Sequence, residues 1–177
     1  PNLHETLVPG TFASETIGDV SDFELVKKTL TDINPEIVFH LAGQPLVRRS
    51  YDAPLETAIT NVLGTMHILE ALRQNEIDCP VVLITSDKCY ENDGTTRAFS
   101  ETDPLGGYDV YSASKAAAEI MTRSWQRAFR GRIATARAGN VIGGGDYTTM
   151  GMHVRASARM CEVCARACAC VRAWVRA

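Results

Sequence analysis

Apolar residues recur along this chain in two alternating rhythms. Residues 35–42 (PEIVFHLA), 80–86 (PVVLITS) and 132–137 (RIATAR) are short apolar runs, the second rich in β-branched residues. Runs of that length read as strands, and near-continuous ones suit parallel strands covered on both faces. Between them the apolar positions shift to helical spacing. Residues 22–31 follow Ser21, placed as an N-cap, with Glu24 at the capping-box distance. Residues 54–75 align Ile59, Val62, Leu63, Met66, Leu69 and Leu72, and residues 109–130 align Ala117, Ile120, Met121 and Trp125. Strand, long helix, strand, long helix, strand predicts an α/β fold with a doubly wound parallel sheet. Ligands of such sheets gather at the C-terminal ends of the strands. That points to residues 41–51, 85–91 and 138–147.

The pattern fades at both ends. Residues 1–16 contain no strand run, although an open α/β sheet normally begins with one, so the chain reads as a piece of something longer. From Met150 the periodicity stops, and Ala, Cys and Arg make up 16 of the last 28 residues. The expected division is therefore an organised body over 1–149 and a tail over 150–177. The tail holds Cys161, Cys164, Cys168 and Cys170. One Cys-x-x-Cys hook followed closely by Cys-x-Cys is a poor zinc pattern, because zinc hooks pair across a longer connection. A low-complexity or out-of-frame segment, irregular or helical, is the preferred reading, with no metal.

Composition narrows the class of function. The chain has 177 residues, 45% hydrophobic and 22% charged, which suits one globular domain. No apolar run approaches the roughly 18 residues of a membrane span, and no secretory leader is visible. With two isolated cysteines in the body, a cytoplasmic location is expected. The net charge of −3 gives no reason to expect a nucleic acid partner.

Two clusters carry chemistry. Tyr111 and Lys115 in YSASK lie four apart, so on a helix they share a face. An ammonium beside a phenol favours the phenolate and lowers its pKa, making a base for a hydroxyl proton. Taken alone, such a pair is more often a solvated helix face. Thr85-Ser86-Asp87-Lys88 ends an apolar strand in a hydroxyl, a carboxylate and an amine. Taken alone, it is equally a strand turning polar. His40 reads as a packed core residue and Cys89 as a small filler of a tight loop.

Together the clusters are more specific. Ser86 at a strand end, with Tyr-x-x-x-Lys about 25 residues later, resembles the extended short-chain dehydrogenase/reductase superfamily. Within it, QPLVRRSY (44–51), TSDKCYEN (85–92) and AGNVIGGGD (138–146) are most similar to the CDP-glucose 4,6-dehydratase family. The resemblance covers roughly residues 17–147. It implies a partial Rossmann-like domain lacking its first strands and, with them, the Gly-rich phosphate turn.

The resemblance also implies a chemistry. The family oxidises a nucleotide sugar at C4, eliminates water across C5 and C6, and reduces C6, with bound NAD. Tyr111 would take the C4 hydroxyl proton, Lys115 would lower its pKa and hold the cofactor, and Ser86 would bond the same hydroxyl. Asp87 would act as acid at the C6 oxygen and Lys88, as a neutral amine, would contribute to C5 deprotonation. Asp19, Val20, Leu41, Ala42, Gly43 and Gln44 would line NAD, together with Tyr111 and Lys115. Asn140 and Ser86 would contact the substrate. A homodimer through the two long helices is a further implication. Two alternatives stand beside this reading: a catalytically inactive truncated or frame-shifted product, and a nucleotide-sugar C4 epimerase.

Overall fold

A computed structural model describes residues 13–94 and 96–140. The tail over 150–177, and the stretch from Val141 to Tyr147, lie outside the described residues.

The chain order is α1 (Phe23–Ile33), β1 (Val38–His40), α2 (Val47–Asp52), α3 (Pro54–Ala58), a π-helical turn (Ile59–Leu63), α4 (Gly64–Gln74), β2 (Val81–Ser86), a 3-10 turn (Asp87–Cys89), α5 (Val110–Phe129) and β3 (Ile133–Ala138). The strands form a parallel sheet in the order β1-β2-β3. Val38 lies opposite Val81, and Val81 opposite Ile133. All three strand runs are confirmed, the first shortened to three residues.

α1 is capped by Asp22, whose carboxylate accepts from the Leu25 N–H at 3.1 Å. This corrects the N-cap expected at Ser21. Ser21 instead gives its N–H to the Asp19 carboxylate at 2.8 Å, inside the turn that precedes the helix. α1 ends at Asn34, which enters the left-handed region with φ 45°, a conformation Asn tolerates better than most residues.

The core lies between the sheet and its helices. Val26 and Leu30 of α1, Ile68, Leu69 and Leu72 of α4, and Val38, Val81 and Leu83 of the strands pack together. Gly64 opens α4 where a Cβ would come within 2.6 Å of Val20 Cγ1, so Val20 is a core residue. The opposite strand face, with Phe39, Val82 and Ile84, is half-buried among the described residues.

Residues 54–74 are helical throughout, with a π-turn in the middle and Asn75 as the C-cap. The extra residue per turn rotates α4 relative to α3, so the single apolar stripe expected there breaks. Met66, Leu69 and Leu72 are buried, while Leu63 is exposed. α5 departs further from expectation. Its buried side is small and polar, with Tyr111, Ser112, Ser114, Ala116, Ala118, Glu119 and Thr122. Ile120 and Met121, expected inside, are exposed.

His40 is buried, as expected of a core residue, with Nε2 3.2 Å from Thr65 Oγ1. Burial, with the Lys115 charge adding, holds its pKa down at about 3. The unfolded chain therefore takes up a proton between about pH 6.5 and 3 that the folded chain refuses. Stability should fall with pH across that window, by up to about tenfold in the folding constant per unit. Denaturant titrations at pH 7 and 5 should show a smaller loss in His40→Gln than in the unmodified chain.

Candidate active site

The site is built where β2 ends. Ser86 is extended, and its Oγ accepts from the Lys88 N–H at 3.2 Å, capping the 3-10 turn. That cap turns Asp87 and Lys88 outward at the C-terminal edge of the sheet. Their side chains are 52% and 45% exposed, and Lys88 Nζ lies 3.9 Å from Asp87 Oδ1. Ser86 Oγ also donates to Asp87 Oδ1 at 3.2 Å. β3 ends beside this turn, since a Cβ on Gly139 would stand 3.5 Å from Asp87 Oδ2. Asn140 comes next, exposed.

Tyr111 reaches the same point because α5 starts there. Asp109 caps the helix, accepting from the Ser112 N–H at 2.9 Å and the Ser112 hydroxyl at 2.8 Å. Gly107 runs so close to the first turn that a Cβ would fall 2.3 Å from the Ala113 nitrogen. The Tyr111 phenol faces the Ser86 side chain closely enough for that hydroxyl to favour its ionised form. The two sequence clusters thus meet.

Lys115 stands one turn further on and half-buried. Its ammonium donates to the Ile84 carbonyl at 3.4 Å. It lies against Gly43, where a Cβ would be 3.2 Å from Nζ and 3.1 Å from Asn61 Oδ1. Burial pulls its pKa below the usual lysine value. Here the expected electrostatics fail. Burial pushes the Tyr111 phenol up, the Ser86 side chain opposes this, and Asp87 and Asp109 add to the rise. The Lys115 ammonium is instead engaged by the Ile84 carbonyl.

The segments expected to line the cofactor divide in two. Leu41 is 60% exposed at the end of β1, and Gly43 lies two residues on. Asp19 is exposed in its turn. Val20, Ala42 and Gln44 are buried. Gln44 uses its side chain on the protein: Nε2 donates to the Leu46 carbonyl at 3.0 Å and Thr57 Oγ1 at 2.8 Å, and Oε1 accepts from the Leu46 N–H at 2.5 Å.

Asn61 is a residue that local pattern misses. It sits in the π-turn, a feature frequent at functional sites. Its Oδ1 accepts from the Gln44 N–H at 2.8 Å, and its amide donates to the Gln44 carbonyl at 3.2 Å and to Ser114 Oγ at 2.9 Å. It therefore ties the loop after β1 to the helix of Tyr111 and Lys115. The available signal is an Asn within a helical stripe, where an amide needs a distant partner. Cys89 is fully buried, and burial pushes its thiol up to about 11, consistent with a filler.

The family described as GDP-mannose 4,6 dehydratase matches residues 12–161. CDP-glucose 4,6-dehydratase of Salmonella typhimurium is 44% identical over 156 residues, covering 83% of this chain and 44% of that protein. Among solved structures, RMD from Pseudomonas aeruginosa, complexed with NADPH, aligns with a TM-score of 0.65 at 28% identity, covering 73% of this chain and 44% of that one. The dTDP-glucose 4,6-dehydratase of Streptomyces venezuelae, with NAD bound, aligns with a TM-score of 0.62 at 25% identity, covering 68% and 36%. The chain spans less than half the length of these proteins.

Proposed function

Since the chain belongs to the family described as GDP-mannose 4,6 dehydratase, we propose that it carries the catalytic centre of an NAD-dependent nucleotide-sugar 4,6-dehydratase, a lyase of deoxysugar biosynthesis acting on CDP-glucose. One observation carries this reading: the Tyr111 phenol is within reach of Ser86 at the strand end where Asp87 and Lys88 pair. An alcohol-oxidising couple and an acid–base couple at one strand end suit an oxidation followed by an elimination. The choice of CDP-glucose is supported by the identity to the Salmonella typhimurium protein.

The cofactor end is supported by shape. Exposed, apolar Leu41, a Gly43 without a side chain and the Lys115 ammonium lie together at the carboxyl ends of the strands. That combination fits an apolar ring with a hydroxyl-bearing ribose. When bound, NAD supplies a hydride acceptor at C4 and the same hydride for C6. Tyr111, ionised once the Lys115 ammonium turns from the Ile84 carbonyl toward the phenol and the ribose, takes the C4 hydroxyl proton while Ser86 holds the oxygen. The C4 ketone acidifies the C5 proton, which leaves with Lys88 contributing as base. Asp87 protonates the C6 oxygen, which departs as water. Asn140 contacts the substrate.

A homodimer and a cytoplasmic location complete the proposal. Leu55, Leu63, Ile120 and Met121 form exposed apolar surface on the long helices, which a second copy would cover. Among the described residues no helix is long and apolar enough to cross a membrane.

The test grafts this chain into the Salmonella typhimurium protein in place of its matching segment, then supplies CDP-glucose and NAD. A 4-keto-6-deoxy sugar is expected. A hexose epimer would mean a C4 epimerase, and no turnover with a folded graft would remove the dehydratase reading.

A further inference from the structure

α5 presents three polar side chains at four-residue spacing, Tyr111, Lys115 and Glu119. They share one face over about 12 Å of helix axis. The proposed reaction uses only the first two. Glu119 is nevertheless 3% exposed and fully bonded. Its Oε1 accepts from Thr85 Oγ1 at 2.5 Å, and its Oε2 accepts from Thr135 Oγ1 at 3.0 Å and from an Arg137 terminal nitrogen at 2.9 Å. Thr85 precedes Ser86 on β2, and Thr135 and Arg137 belong to β3. Arg137 in turn lies 4.8 Å over the ring of Tyr90, the residue after the 3-10 turn that holds Asp87 and Lys88.

Besides Glu119, α5 is held in its first two turns by Ser114, which accepts from the Asn61 amide at 2.9 Å, and by Lys115 on the Ile84 carbonyl at 3.4 Å. Ala116 and Ala118 offer a shallow surface that packs similarly after a small slide. A buried carboxylate behaves differently, because it is tolerated only while its partners stay in place. Moving α5 by one residue would strip Glu119 of all three hydrogen bonds at once.

We infer that Glu119 is a positioning residue, setting the height and rotation of α5 over β2 so that Tyr111 meets Ser86, and through Arg137 fixing the turn of Asp87 and Lys88. The importance given to those four residues rests on the dehydratase reading.

The test needs neither cofactor nor sugar. Tyrosines labelled at Cζ are monitored by carbon NMR against pH in this chain, with Tyr111→Phe assigning the resonance. The charged and polar groups facing the phenol are Ser86 at the end of β2, Asp87 in the turn after it, and Asp109, the cap of α5. In Glu119→Gln the Ser86 contact is expected to weaken, so the onset of Tyr111 titration should move up by about half a pH unit. The sign is diagnostic, since loss of a negative charge alone would move the onset down. Should the single variant fail to fold, Glu119→Gln/Arg137→Met removes both charges together, and the same upward shift is expected. An unchanged or lowered onset in a folded variant overturns the inference, even if its Tm falls. A normal shift in a chain whose graft makes no 4-keto-6-deoxy sugar would overturn the dehydratase reading alone.

Discussion

Tyr111→Phe, in the graft supplied with NAD, should lower conversion of CDP-glucose by about a thousandfold or more. A positioned proton acceptor contributes typically about 10²–10⁴ in rate, and the C4 hydroxyl has no comparable neighbour once the phenol oxygen is gone. The substitution is mild for the fold, because Ser86 keeps Asp87 and the Lys88 N–H as partners. Calorimetry with CDP-glucose should therefore show near-normal binding. Exchange of the C5 hydrogen with deuterated water gives a second readout, because that proton becomes acidic only after C4 is oxidised. In Tyr111→Phe the exchange should disappear with turnover. Exchange at the normal rate would show that another group takes the hydroxyl proton.

Asp87→Asn should separate the two halves of the reaction. The amide keeps the size and exposed position of the carboxyl at the strand end but cannot give a proton to the C6 oxygen. Loss of water should slow by about a hundredfold or more, whereas C5 exchange continues. The same deuterium experiment that silences Tyr111→Phe should therefore show label entering unreacted sugar in Asp87→Asn. Product formation at the ordinary rate would remove Asp87 from the acid role. A parallel loss of exchange would assign it to oxidation instead.

The range of each interaction along the chain decides whether sequence pattern reveals it. β2 and α5 are legible almost to the residue, because a β-branched run, an Asp at the cap and a helical period are all local. The choice of Asp22 over Ser21 as cap is not, since both fit the consensus and the turn made by Asp19 decides between them. The buried side of α5 escapes pattern because Ile120 and Met121 suggest a core, while the residues that go inside are small or polar. Glu119 is buried only because Arg137 and Thr85 wait for it, 18 and 34 positions away. Asn61 likewise depends on Gln44, 17 positions back, and Ser114, 53 ahead. A pattern confined to neighbours along a helix sees neither. The Tyr–Lys spacing puts both residues on α5, but it is blind to the Ile84 carbonyl, 31 positions from Lys115, that engages the ammonium.

Ser86 carries a consequence for how such a site can change over generations. One oxygen caps the turn of Asp87 and Lys88 and also meets the Tyr111 phenol. The oxidising half and the eliminating half thus hang on a single atom. A lineage could lose elimination while keeping oxidation by altering Asp87 or Lys88, which stand exposed and outside the packing. The reverse path is closed at Ser86, where any replacement lacking a hydroxyl disturbs both halves in one step. Divergence toward new sugar products should accordingly run through the turn and keep a hydroxyl at the strand end.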